Sequence, residues 1–285
     1  MMKIFLDTST LNKIVESADG IERLKLLTQN GQSQYITSIL VLQELLLTPT
    51  LQHRVNLAKC FLDMVSRITK SWNQLIREEL QAFLREDSAP SPFLDESEEE
   101  KQRYYAMRAA AGEVYDPEKF CLVSKQENAR KRKALNRQKE LYKRDVDYIK
   151  KSGQMSAELY GSNFEDFCGE FQSEWPNQLK ERFLRGEAGN FNGKVDRIIK
   201  GLDRLPHARA SLRIVPAWKF SERDRKPKRN DRDDWYHMVC AATATSFVCE
   251  EVGLKEIFNW VYPEKNFLNL EGFLKKSETA KTDTA

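Results

Sequence analysis

The sequence is poor in the residues that build metal–thiolate and disulfide sites. It contains five cysteines and three histidines in 285 residues, and no two cysteines stand in a CxxC spacing. This odd, scattered set predicts free thiols in a reducing compartment, not a zinc site or a disulfide framework. No apolar run approaches the roughly 18–20 residues of a membrane span, and the opening MMKIFLDTST offers no signal-peptide core. We therefore expect a cytoplasmic protein without a membrane partner.

Common enzyme motifs are absent as well. The chain has no GxGxxG, P-loop, HExxH or GxSxG segment, so cofactor-dehydrogenase, ATPase, zinc-protease and serine-hydrolase functions lack a supporting motif. A net charge of +3 favours no class of partner. The apolar content of 40% and charged content of 31% are typical of a globular protein large enough to bury a sizeable core.

Short apolar runs alternate with helical spacing in the first third of the chain. KIFL (3–6) predicts a strand that ends at DTST, and YITS (35–38) predicts a second strand followed directly by a helix. Strand, helix, strand, helix with short connections is typical of a parallel α/β sheet. Further along, the patterns predict these segments: helices at 10–29, 51–84 and 233–245, an exposed linker at 86–100, strands at 214–218, 246–251 and 259–263, and a disordered tail at 276–285.

Glu44 stands in the middle of SILVLQELLLTP, the most apolar run of the sequence. Removing water from a carboxylate costs several kcal/mol, so a buried glutamate needs a partner. We expect that partner to be an Arg, a Lys or a metal ion.

Other acidic residues follow predicted strands in the same way. Asp7 follows KIFL, and Glu250 and Glu251 follow SFVC, while Asp231 and Asp234 begin a predicted helix. The carboxyl ends of strands in an open parallel sheet meet at one crevice. Several carboxylates gathered there require a counter-charge, and Mg²⁺ or Mn²⁺ supplies one. Taken singly, each acid also has an ordinary explanation, such as a helix cap, a surface turn or an ion pair.

A family resemblance rests on these segments. KIFLDTSTLNKI resembles the opening of PIN-domain nucleases, where a strand ends in Asp followed by Thr or Ser, and YITSILVLQELLLTP resembles their second motif, with its glutamate at Glu44. NDRDDWYHMVCAATATSFVCEE (230–251) is similar to the third and fourth motifs of larger bacterial PIN-like proteins. That pattern is ND, an Asp three residues on, His, and a strand ending in Thr-x-Asp. Here Asp231, Asp234 and His237 match it.

The chain departs from that family in three ways. Cys249 stands at the usual Thr, and Glu251 stands at the usual last Asp with Glu250 beside it. The segment between Glu44 and Asp231 is also far longer than in compact toxin-type ribonucleases. The resemblance implies a single PIN-like domain over 1–285, a doubly wound parallel sheet flanked by helices. Its sheet core is expected at 1–84 and 211–275, with a mostly helical insertion at 85–210.

The resemblance also implies a function. It predicts a metal-dependent endoribonuclease that cleaves single-stranded RNA with Mg²⁺ or Mn²⁺, with Thr8 and Ser9 orienting a carboxylate or the scissile phosphate. The implied catalytic and metal-binding residues are Asp7, Glu44, Asp231, Asp234 and Glu251, with Glu250 as a further metal ligand. A protein inhibitor and a second copy of the chain are further partners left open. The alternative is a weak or inactive PIN-like module that binds nucleic acid or protein.

A basic segment is the candidate for holding the strand. Residues 125–151 contain eleven Lys or Arg against four Asp or Glu. Cationic side chains bind phosphates, and interleaved tyrosines stack on bases. The candidate nucleic-acid-binding residues are Arg130, Arg132, Lys133, Arg137, Lys139 and Arg144. The alternative is a solvated helix whose charges serve solubility.

Overall fold

The structure is a computed structural model that describes residues 2–17, 19, 21–22, 24–25, 33–113, 136, 163–174, 180, 194–224 and 231–275. Side chains are not described at 219, 221–224 and 231–232. The chain divides into two compact units. The first unit comprises Met1–Leu75, Ala89–Val114 and Tyr236–Ala285, and the second comprises Ile76–Ser88 and Tyr115–Trp235.

The first unit is built on a parallel sheet with the order β3-β2-β1-β4-β5. Every neighbouring pair in it is parallel. Its strands are β1 (Met2–Leu6), β2 (Ser33–Ser38), β3 (Arg67–Thr69), β4 (Ser246–Val248) and β5 (Asn266–Leu268). The prediction of an α/β fold with a parallel sheet flanked by helices is confirmed.

The centre of the sheet is the most deeply buried part of this unit. Ile4, Phe5 and Leu6 of β1 are fully buried, as are Phe247 and Val248 of β4. Strands of parallel sheets are covered on both faces, which explains why they appear as continuous apolar runs in the sequence. Because β1 lies between β2 and β4, successive strands are added in opposite directions on its two sides. Such a reversal places a crevice at the carboxyl ends of the central strands.

The helices follow the strands closely in sequence. They are α1 (Thr8–Glu16), α2 (Ile39–Leu46), α3 (Leu51–Met64), α4 (Trp72–Arg85), α5 (Glu96–Ala110), α6 (Phe164–Glu174), α7 (Val195–Lys200), α8 (Pro206–Asp224), α9 (Asp231–Cys240) and α10 (Lys255–Val261). Short 3₁₀ turns occur at Leu202–Arg204, Ala241–Thr243 and Val252–Leu254. In the described part of the chain, no helix is both long and apolar enough to cross a membrane.

The second unit is helical in its described part. Glu79 of α4 caps the start of α8, because its carboxylate accepts hydrogen bonds from the backbone N–H groups of His207 (3.2 Å) and Ala208 (2.9 Å). The His207 Nδ1 atom lies 3.0 Å from the same carboxylate. Aromatic packing continues through Trp218 and Trp235, whose ring centroids lie 3.6 Å apart. These contacts join segments that are far apart in sequence.

Several segments differ from the sequence predictions. The continuous helix expected over 51–84 is interrupted by β3, whose three residues pair with β2. Residues 214–218 lie inside α8, which contains Pro216, and 259–261 lie in α10, so neither segment is a strand. The strand expected over 246–251 ends at Val248.

The acidic stretch at 86–100 is only partly a connection. Asp95 caps α5 by accepting from the Glu98 N–H at 2.9 Å, and the helix begins at Glu96. Acidic residues in the first turn of a helix interact favourably with its dipole, which explains the cluster here. The insertion was expected to span 85–210, whereas Ala89–Val114 belongs to the sheet unit and Ile76–Ser88 to the other unit. The tail expected at 276–285 lies outside the described residues.

Glu99 joins α5 to the β3 edge of the sheet through two arginines. Its side chain is nearly buried and accepts hydrogen bonds from Arg67 (3.0 Å) and Arg103 (2.9 Å). Arg103 also donates to the carbonyls of Val65 (2.8 Å) and Ser66 (2.9 Å) at the end of α3. One carboxylate thereby holds two cations beside a helix end.

We predict that Glu99→Ala lowers the free energy of unfolding by about 2 kcal/mol, because both arginines lose a charged acceptor. Urea unfolding followed by circular dichroism measures this. Glu100→Ala is the matched control, at an exposed position of the same helix, and should stay within about 0.5 kcal/mol of the wild type. Equal effects of the two substitutions would contradict a stabilising role for the Glu99 network.

Candidate functional site

Asp7 is placed at the carboxyl end of the central strand. It follows β1 and caps α1, because its Oδ1 accepts from the Thr10 N–H at 2.8 Å. The Ser9 hydroxyl lies 3.0 Å and 2.9 Å from the two carboxylate oxygens. Only 6% of Asp7 is exposed. The ordinary explanation for this aspartate, a helix cap, is therefore correct, and the cap stands at the edge where a site was expected.

The three hydroxyl residues that follow Asp7 each bind a different segment. Thr8 donates to the Oε2 atom of Glu44. Ser9 accepts from the Glu250 N–H at 3.0 Å, and Thr10 donates to the carbonyl of Val248 at 2.6 Å. The sequence DTST therefore ties β1 to α2 and to the end of β4. This arrangement brings Asp7, Glu44 and the loop after β4 to one edge of the sheet.

Glu44 contacts residues of α1 and α9 in the first unit. Besides the Thr8 hydroxyl, the Nε2 atom of His237 lies 3.3 Å from Glu44 Oε2. The glutamate side chain is 22% exposed, so it is half-buried rather than enclosed. The helix that carries it starts at Ser38, whose hydroxyl accepts from the Val41 N–H at 3.3 Å. The structure thus gives Glu44 contacts with a hydroxyl and an imidazole, and the Arg, Lys or metal partner that the sequence predicted stays a prediction.

His237 is the site residue whose partner the sequence analysis did not identify. It is 4% exposed and lies on α9, with its ring centroid 6.5 Å from that of Phe5. Its position in the ND–Asp–His pattern predicted that it packs or orients Asp234, not that it contacts Glu44. The contact with Glu44 depends on the packing of α9 over β1, and no spacing along the chain encodes it.

The two acids after β4 occupy different environments. Glu250 is half-buried, and its Oε1 accepts from the Leu270 N–H at 2.7 Å, at the start of the helical turn 270–275. Glu251 is exposed. Because β4 ends at Val248, the two residues follow the strand and its alternating pattern does not govern them. Glu250 has a structural role that the sequence analysis did not predict.

Cys249 lies against the same cluster. Its Sγ atom is 3.7 Å from the Ser9 hydroxyl and accepts from the Glu251 N–H at 3.4 Å. Burial, together with the charge of Asp7, raises the pKa of the Cys249 thiol. The thiol is therefore neutral at physiological pH, and it takes the place that a threonine holds in the family pattern.

The remaining predicted site residues are not brought into this cluster by the described contacts. Asp231 and Asp234 lie in the first turn of α9 and belong to the second unit. Their place in a common site stays a prediction. The candidate nucleic-acid-binding residues Arg130, Arg132, Lys133, Arg137, Lys139 and Arg144 lie outside the described residues.

The donor set can be compared with what a hard divalent cation requires. Asp7 and Glu44 supply carboxylate oxygens, the ligand type that Mg²⁺ and Mn²⁺ prefer. Within the part of the chain that the structure describes, no group of three or more His, Cys, Asp or Glu side chains is arranged to hold a metal ion. Asp7 and Glu44 thus have the ligand type that such an ion requires, and its site needs at least one further ligand.

We predict that Glu250→Ala lowers the free energy of unfolding by about 1 kcal/mol, because the helical turn at 270–275 loses its side-chain cap. Glu251→Ala is the neighbouring control, and its exposed side chain predicts a change within about 0.5 kcal/mol. Thermal and urea unfolding of both variants measure the difference. A larger effect at Glu251 would show that the cap assignment is wrong.

Comparison with known proteins assigns this chain to no family. No protein-family model matches it, and neither a curated protein nor a solved structure does. The α/β fold with its five-stranded parallel sheet is the property that the structure establishes.

Proposed function

We propose that this protein is a metal-dependent nuclease that hydrolyses phosphodiester bonds in single-stranded RNA. One observation supports the proposal: acidic residues follow β1, β2 and β4 at the carboxyl edge of the sheet, where the Ser9 hydroxyl contacts Asp7 and the adjacent Thr8 donates to Glu44. This edge is where open parallel sheets bind ligands. The resemblance of the same segments to PIN-domain motifs supports the choice of reaction.

Asp7 and Glu44 are the proposed ligands of Mg²⁺ or Mn²⁺ in the first unit. The resemblance to PIN-domain motifs names Asp234 or Asp231 as a further ligand. Glu251, with Glu250 beside it, takes the position of the last acid in the family pattern. When bound, such an ion supplies a water of lowered pKa and offsets the charge on the leaving oxygen. The chain itself fixes the orientation of the two carboxylates before any substrate arrives.

Thr8 and Ser9 act on the carboxylates in this proposal, not on the scissile phosphate. Their hydroxyls contact Glu44 and Asp7, respectively. A carboxylate held by such hydrogen bonds loses rotational freedom, which favours one productive geometry. The basic segment at 125–151 supplies the cationic surface that an acidic site needs to retain a polyanion.

A specific observation also favours the alternative, a PIN-like module that binds RNA or protein without cleaving. Glu44 accepts from the Thr8 hydroxyl and lies 3.3 Å from His237 Nε2. The carboxylate of Glu250 caps a helical turn, and Glu251 is exposed. A cluster whose acids have protein partners can persist for structural reasons alone.

A cleavage assay tests the proposal. Single-stranded RNA and DNA are incubated with the protein in Mn²⁺, Mg²⁺ or EDTA. We expect RNA cleavage that requires the metal and falls roughly a hundredfold or more in both Asp7→Asn and Glu44→Gln, because each removes a charge from the reaction site. Asn caps a helix as well as Asp does, so Asp7→Asn should remain folded.

Asp95→Asn is the matched control, because Asp95 also caps a helix of the same unit through a side-chain acceptor. Its cleavage rate should equal that of the wild type. Unchanged cleavage in both site variants would sink the assignment. Calorimetric titration with Mn²⁺ then separates the two functions: the nuclease binds the ion in a manner lost with Asp7→Asn, whereas the inactive module shows no such binding.

A further inference from the structure

Two aromatic rings of the first unit stack face to face. The centroids of Trp72 and Tyr236 lie 4.2 Å apart, and their planes differ by only 2°. Both side chains are half-buried, and both belong to the first unit. A parallel stack with partial exposure leaves aromatic surface in contact with solvent.

The position of Trp72 follows from the end of β3. Thr69 pairs with Ser38, the residue that caps the helix carrying Glu44. Three residues after Thr69, Trp72 opens α4, so it emerges at the same edge of the sheet as that helix. Lys70 lies between them and adds a positive charge to this edge.

The position of Tyr236 follows from α9. The next residue, His237, contacts Glu44 at 3.3 Å. One helical turn after Tyr236, the thiol of Cys240 donates to the carbonyl of Lys70 at 3.8 Å, so this face of α9 packs on the β3–α4 connection. The ring of Tyr236 is thus fixed beside Trp72 while its neighbour reaches the carboxylates.

Core packing alone does not account for this pair. Phe247 and Phe258 also stack nearly parallel, at 8° and 5.1 Å, but both rings are fully buried, as expected for packing. The Trp72–Tyr236 stack has the same geometry at a position that water reaches. Unpaired bases stack on flat aromatic side chains, and this stacking depends little on the identity of the base.

We propose that the Trp72–Tyr236 pair is a stacking platform for a base of single-stranded RNA lying at the carboxyl edge of the sheet. The proposal rests on the proposed function for its choice of ligand. The platform positions the strand next to Asp7 and Glu44 and contributes to binding, not to the chemical step.

Binding of a fluorescent single-stranded RNA is measured by anisotropy in EDTA, where no cleavage occurs. Trp72→Leu keeps apolar bulk but removes the ring, and Trp72→Phe keeps a ring. We expect Leu to weaken binding about tenfold and Phe to restore most of it, consistent with the usual contribution of one stacked base. Trp260→Leu is the matched control at the other half-buried tryptophan of this unit and should bind like the wild type.

An RNA series with a single abasic position, moved along the strand, locates the stacked base. The wild-type protein should bind more weakly when the abasic position coincides with the stacked base. The affinity of Trp72→Leu should not change with the abasic residue at that position. Equal affinities of Trp72→Leu and Trp72→Phe, both folded by circular dichroism, would overturn the platform. Stronger Trp72-dependent binding of DNA than of RNA would overturn the assignment to RNA.

The outcome for the platform is separable from that for the nuclease. Stacking that depends on Trp72 in a protein without cleavage supports the platform and removes only the catalytic proposal. Where Mn²⁺ supports cleavage, Trp72→Leu should raise KM about tenfold with kcat little changed. A fall in kcat alone, with RNA affinity intact, would contradict a binding role.

Discussion

The first unit depends on the need to satisfy two carboxylates at the edge of a parallel sheet. Asp7 ends the central strand and Glu44 stands on the helix after its neighbour, so both are held where water is only partly available. Each obtains hydrogen bonds from residues directly beside Asp7: Ser9 and the Thr10 N–H for Asp7, and Thr8 for Glu44. These same bonds set the approach of α1 and α2. The hydrogen bonds of the candidate site therefore also position the helices that carry its residues.

The sheet was predictable where local signals agree. Asp7 directly follows β1 and Ser38 is the last residue of β2, and each caps the next helix, so strand end and helix start coincide in the sequence. β3 carried no such signal. Its three residues continue a helical spacing that begins at Leu51, and pairing with β2 decides their conformation. A tertiary contact overrides the local pattern there.

The same reasoning explains the two false strands. Residues 214–218 are all buried in α8, and a short buried helix segment cannot be told from a buried strand by periodicity alone. Pro216 lies inside α8, which continues through it. At 259–261, aromatic and β-branched residues suggested a strand, whereas Phe258 and Val261 pack as one face of α10. In α10, the spacing of Phe258 and Val261 is the feature that indicates a helix.

The sequence predicted Asp7 and Glu44 as site residues but did not predict their contacts. The sequence pointed to Asp7, Glu44 and His237, but the pairing of His237 with Glu44 arises from α9 and α2 meeting in three dimensions. That pairing bears on the question of which group neutralises Glu44 in its apolar surroundings. The carboxylate does not lack a partner, so a cation that binds Oε2 must compete with the Thr8 hydroxyl and the His237 imidazole. The nuclease and the inactive module thus differ in one free energy. In the nuclease, the free energy gained by ion coordination exceeds that of the hydrogen bonds that the ion replaces, and in the inactive module it does not.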